Sequence, residues 1–169
     1  MESKELLIKI NASLYLQDKV DGYMKNWEES SIHTALFVEL MEWYNTIETF
    51  KTWKENSGKP RTVQLEELAD CLAFTLSLIN HKELKEHYTD NYAAEINYYI
   101  KNGVASSIVN KLLNNTFINY IFNIWNDKDY LELLIIILSI ANKNYTLEEL
   151  FNAYASKSKI NIDRQKNGY

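Results

Sequence analysis

Two segments of the 169-residue chain place carboxylates among apolar neighbours. In ALFVELMEWY (35–44), eight of ten residues are apolar, and the other two are Glu39 and Glu42. In ELADCLAFTLSLIN (67–80), the acids are Glu67 and Asp70. Each pair is spaced by three, so on a helix each pair shares one face. If the second helix returns antiparallel to the first, all four carboxylates meet. Unpaired carboxylates in a partly dry pocket repel one another and raise their own pKa values. A hard divalent cation relieves that repulsion. Mg²⁺ takes oxygen ligands, keeps waters, and commonly uses a few carboxylates together with substrate phosphates. ExxE and ExxD pairs also recur by chance in acidic helices. Spacing alone therefore leaves two readings, a metal site and a solvated acidic face.

A second charged feature is the C-terminal stretch KSKINIDRQKNGY (157–169). Lys157, Lys159, Arg164 and Lys166 stand against Asp163 alone, so four cations and one acid leave +3 in a chain of net charge −5. One reading is a frayed terminus. The other is a mobile clamp, with Lys and Arg on phosphate oxygens and Tyr169 on a ligand. An acidic cation site and a basic arm are together what a metal–triphosphate complex requires.

The elements that must position these groups read as helices. Four Gly and one Pro in 169 residues favour long helices with short connections, and no strand alternation is sustained. Residues 3–21 form the first helix, with Leu6, Ile10 and Leu14 in register, and WEESSIHT (27–34) is a loop. A long helix over 33–53 puts Ala35, Thr46, Phe50 and Trp53 on the face of Glu39 and Glu42. ENSGKPRT (55–62) is a loop, and 63–80 form the next helix. Residues 81–91 are a helix end or a loop, and 92–126 form one or two helices broken near Asn102-Gly103. The apolar run LLIIILSIA (133–141), too short to span a bilayer, lies in a buried helix over 128–142. Thr146 caps a last helix, with Glu149 at its third position, that runs to about Ser156. The fold class is all-α, with a catalytic unit over 1–156 and the tail 157–169 closing over it.

The remaining residues exclude other chemistries. A net charge of −5 disfavours nucleic acid and anionic membranes. Cys71, the single cysteine, allows no internal disulfide and fits a reducing cytosol. MESKELLIKI lacks a secretory pattern, so a cytoplasmic location is expected. His33, His81 and His87 have no zinc spacing. Neither a Gly-rich phosphate loop nor a nucleophile elbow occurs.

VELMEW (38–43), FKTW (50–53), ELADCLAF (67–74), Gln17 within LYLQDKVD (14–21) and the tail pattern N-x-x-R-Q-x-x-G-Y (161–169) resemble the dimeric, all-α dUTPase family. That family lies within the MazG-like nucleoside triphosphate pyrophosphatases, and 35–80 resemble its phage-encoded members. The likeness covers 12–23, 35–80 and 150–169, while 81–145 match nothing specific. It implies a MazG-like bundle that hydrolyses dUTP to dUMP and pyrophosphate by water attack at the α-phosphate, with two or more Mg²⁺ ions. It implies that Glu39, Glu42, Glu67 and Asp70 hold the metal and that Glu39 orients or deprotonates the water. Gln17 and Asn161 would read the uracil edge beside Trp53. Lys157, Arg164 and Tyr169 would hold phosphates, with Lys51 and Asn80 near the phosphates and sugar. Many relatives carry His at the position of Ala73, a residue associated with the deoxyribose. Two alternatives stand beside this reading. One is a MazG-like pyrophosphatase of broader nucleotide preference. The other is a phage protein-binding module that captures the repressor of a mobile genetic island through 81–130. The apolar surplus of 104–141 is read either as a homodimer interface or as a deep core.

Overall fold

The computed structural model describes residues 1–82, 90–102 and 116–167. Among them are seven helices and no strand: α1 (Ser3–Asp21), α2 (Glu29–Ile47), α3 (Arg61–His81), α4 (Asp90–Lys101), α5 (Phe117–Asn126), α6 (Tyr130–Asn144) and α7 (Leu147–Lys166). The expected all-α fold is the one observed. Gly103, which marks the expected break after α4, lies outside the described residues.

α3 is the shared wall of the bundle, with α1, α2, α6 and α7 all packing on it. Its sequence explains why. Leu68, Leu72, Leu76 and Ile79 recur at helical spacing, and Ala69, Cys71, Thr75 and Leu78 are buried as well, so most of its circumference is covered. α1 meets this wall through Leu6, Ile10 and Leu14, and α2 contributes Leu36, Leu40, Trp43 and Tyr44. In α6, Leu133, Leu134, Ile136, Ile137, Leu138, Ile140 and Ala141 are all buried within the single chain. The 133–141 surplus is thus used by a deep core. No helix among the described residues is long and apolar enough to cross a membrane.

Helix ends follow local chemistry. Asp129 accepts the Glu132 N–H (3.0 Å) to start α6, and Thr146 accepts the Glu149 N–H (3.1 Å) to start α7. Two helices correct the sequence reading. α2 begins at Glu29 within the expected WEESSIHT loop, and it stops at Ile47, not at residue 53. Glu48 terminates it in the left-handed region (φ 53°), a conformation that costs about 1 kcal/mol for a residue with a side chain. Its carboxylate offsets that cost by accepting from Lys51 Nζ (2.9 Å), Lys54 Nζ (2.8 Å) and the Gly58 N–H (3.0 Å). Gly58 itself has φ 101°, which only glycine adopts without strain. Phe50 and Trp53 therefore lie on this Glu48-centred loop and not on the acidic face of α2. The second correction is that α7 runs ten residues past Ser156. Residues 157–166 contain no Gly or Pro, and Ser158 is buried with its hydroxyl donating to the Tyr154 carbonyl (2.8 Å). The helix ends where Asn167 closes onto the Asp163 and Arg164 carbonyls.

Candidate active site

α2 and α3 bring three carboxylates together. One oxygen each of Glu39, Glu67 and Asp70 lies within 4.8 Å of the other two, and all three side chains are half-buried. Glu42 is exposed and stands outside this group, although its charge reaches Glu39 and Glu67. α7 adds one cation, Lys157, whose ammonium donates to Asp70.

The electrostatics follow from this crowding. Glu39 is pushed up to about 7, first by burial and then by Asp70, Glu42 and Glu67, against the pull of Lys157. Glu67 is raised too, by burial before anything else, with Lys157 opposing. Burial works to lower Lys157, but the hydrogen bond to Asp70 and the charges of Asp70, Glu67 and Glu66 together outweigh it, and its pKa is raised. The buried Cys71 thiol is held well above its usual range, first by desolvation and then by Glu39 and its neighbouring acids. It is core, not a nucleophile. Three converging hard oxygen donors beside the Lys157 ammonium fit a divalent cation such as Mg²⁺.

A cavity of about 270 Å³ opens beside the cluster. Six residues singled out from the sequence line it: Gln17, Glu39, Asp70, Lys157, Asn161 and Arg164. Helices α1, α2, α3 and α7 all contribute, and Ala73 and Phe74 add apolar wall. A groove of about 590 Å³ between the start of α3 and α7 shares Lys157, Asn161 and Arg164 with it.

Other expected site residues are placed elsewhere. Lys51 is engaged by Glu48, on the loop after α2. Trp53 is 75% exposed on that same loop, with Phe50 edge-on at 6.5 Å. Asn80 is buried and donates to the Leu14 carbonyl (2.9 Å), fastening α3 to α1. Tyr169 lies outside the described residues, as do 83–89 and 103–115 of the 81–130 region.

The structure also adds a buried polar network behind Gln17. Gln17 Nε2 donates to Asp21 Oδ1 (2.7 Å), and Ser77 Oγ donates to Asp21 Oδ2 (2.7 Å). Trp27 Nε1 donates to Ser77 Oγ (2.9 Å), and the His81 ring stacks on Trp27 at 3.7 Å with Nε2 3.5 Å from Asp21. The Tyr154 hydroxyl faces both the Ser13 carbonyl (2.9 Å) and Gln17 Oε1 (3.1 Å). Burial raises Asp21, while Ser77, Gln17 and His81 pull it back. The one sequence signal for this network was Asp21 lying four residues after Gln17 on α1. Its other members come from α3, α7 and the loop after α1.

A family model described as dUTPase matches residues 4–169. A search of curated proteins finds no match.

Proposed function

The chain belongs to the all-α dUTPase family and is by that membership a dUTP nucleotidohydrolase; from this premise we propose that it hydrolyses dUTP to dUMP and pyrophosphate in the cavity between α1, α2, α3 and α7. The observation that carries the reading is the convergence there of three kinds of group. Glu39 and Asp70 supply oxygen donors, Lys157 and Arg164 supply cations, and Gln17 and Asn161 supply amides. These match, in turn, a hard cation, a polyphosphate and a base edge.

In the proposed reaction a water oxygen bonds to the α-phosphorus. The bond from that phosphorus to the bridging oxygen breaks, and its electron pair leaves with pyrophosphate. Glu39 orients the water and takes its proton. Lys157 and Arg164 hold phosphate oxygens, which gives in-line positioning and charge neutralisation, the main requirements of phosphoryl-type transfer. Glu39, Glu67 and Asp70, with Glu42 at the rim, would hold Mg²⁺, which supplies Lewis acidity at the phosphates and acidifies water when bound. Gln17 and Asn161 read the uracil edge, and cytosine is rejected because it would leave buried polar groups unpaired. The family resemblance would also assign Trp53 to the base, Tyr169 to the phosphates, and Lys51 and Asn80 to the phosphates and sugar; Lys51 is paired with Glu48 and Asn80 with the Leu14 carbonyl, so the proposed cavity is built without those two. The enzyme acts in the cytoplasm as a homodimer, as the family's dimeric character suggests.

The test is pyrophosphate release from dUTP, dCTP, dTTP and UTP, each with Mg²⁺ and with EDTA. Turnover of dUTP alone, and only with Mg²⁺, is expected. Equal turnover of several nucleotides would keep the acidic site and overturn the uracil assignment. Full turnover in EDTA would overturn the metal.

A further inference from the structure

A glutamine can read a base only if its amide is held one way round. The amide offers two N–H donors and two acceptor lone pairs at opposite ends, and a half-turn of its last torsion exchanges them. Uracil presents an N3–H donor beside an O4 acceptor. Cytosine presents the same edge reversed, with an N3 acceptor beside an N4–H₂ donor. An amide free to flip serves both.

In this protein the orientation is fixed from behind by a chain of donors with only one possible sense. The Trp27 indole N–H can only donate, so Ser77 Oγ must accept from it (2.9 Å). The single Ser77 hydrogen is then directed to Asp21 Oδ2 (2.7 Å). The other oxygen, Oδ1, accepts from Gln17, which puts Nε2 at Asp21 and Oε1 at the Tyr154 hydroxyl. Asp21 is 5% exposed and Gln17 3%, so water does not compete for these bonds. One N–H and one lone pair of Gln17 are thereby committed to the scaffold, and the other of each remains for the cavity that Gln17 lines.

We propose that Asp21 is a positioning residue that sets which end of the Gln17 amide donates into the cavity, and so makes the site select the uracil edge over the cytosine edge. This rests on Gln17 as the base reader. Asp21 itself does not line the cavity.

The variant Asp21→Asn tests it with almost no change in shape. Ser77 still has to donate, so the substituted amide gives it the carbonyl oxygen and turns its own NH₂ toward Gln17. Gln17 must then flip. Tyr154 can accept from the turned Nε2 while donating to the Ser13 carbonyl (2.9 Å), so every bond in the network is remade. The ratio of kcat/KM for dUTP over dCTP is expected to fall about 100-fold, mainly through KM. A merely structural role would lower both substrates together and leave the ratio alone. A folded D21N with an unchanged ratio overturns the proposal. Gln17→Ala separates the two readings. If Q17A lowers the ratio and D21N does not, Gln17 reads the base and Asp21 does not orient it. If neither moves the ratio, the base-reader assignment fails and takes the proposal with it. Should D21N not fold, NMR of the parent protein decides. One Gln17 side-chain amide proton shifted downfield and slow to exchange supports the lock, and two fast-exchanging protons overturn it.

Discussion

Glu39 and Glu48 lie nine residues apart, one within α2 and one at its end, and they have opposite electrostatic fates. Glu39 is pushed up to about 7 by burial and three neighbouring acids. Glu48 is drawn down to about 2 by Lys54, Lys51 and the Gly58 N–H. Both are short of solvent. What differs is whether the chain completes the shell around the carboxylate. Around Glu48 it does, and the product is a fixed loop. Around Glu39, among the described residues, it gathers further acids beside the Lys157 ammonium, a crowding that a hard cation would relieve. The proposed chemistry is placed at the second kind of site.

Replacing Glu39 by Gln should break the comparison most severely. Turnover of dUTP is expected to fall by about 10²–10⁴-fold, with nucleotide binding retained in a direct titration. Normal turnover would remove Glu39 from the reaction. Lys157→Met comes next. Without the ammonium, Asp70 loses its partner, Glu39 rises further, and KM for dUTP increases about tenfold or more in steady-state assays. An unchanged KM would make Lys157 only a charge partner for Asp70.

The pH dependence of stability sharpens the contrast through its sign. The folded-state value of Glu39 lies above its ordinary 4.5, so its contribution is fully present below pH 4.5 and is lost as pH rises through about 7. Glu48 runs the other way, contributing above pH 4.5 and losing it as pH falls through about 2. Calorimetry in EDTA should find that Glu39→Gln raises Tm at pH 8 and changes little at pH 5, and that Mg²⁺ stabilises the parent more at pH 8 than at pH 5. Equal shifts at both pH values would mean that Glu39 is not the titrating group. The smallest effect is expected from Glu48→Gln, a Tm lower by a few degrees near neutral pH together with faster proteolysis of the 48–60 loop. An unmoved loop would show that its shape comes from Gly58 and not from the carboxylate.

How far these features were legible depends on whether their causes are local. The α1 bounds, the acid spacing on α2 and α3, and the Thr146 cap are written within a few residues of one another, and they read directly. The end of α2 did not, because Glu48 is no helix breaker. It stops the helix only once Lys51, Lys54 and Gly58 fold back on it. The length of α7 was hidden by the polarity of 157–166, whose one buried hydroxyl, Ser158, looks like any surface serine in the sequence. The pairing of Lys51 with Glu48 was hidden for the same reason: a continuous helix would have carried that glutamate elsewhere. The Asp21 network joins α1, α3, α7 and a loop, and no sequence spacing reports such a meeting.

α3 carries both halves of the site, Asp70 in the acidic cluster and Ser77 in the network behind Gln17. Seven residues at 1.5 Å each place them about 10 Å apart along the axis. A hydrogen-bonded helix neither stretches nor compresses, so α3 serves as a ruler between the end proposed to hold phosphate and the end proposed to hold the base. Side chains at either mark can be exchanged to tune affinity. The interval itself changes only by whole residues, and each insertion would also swing one mark about 100° around the helix.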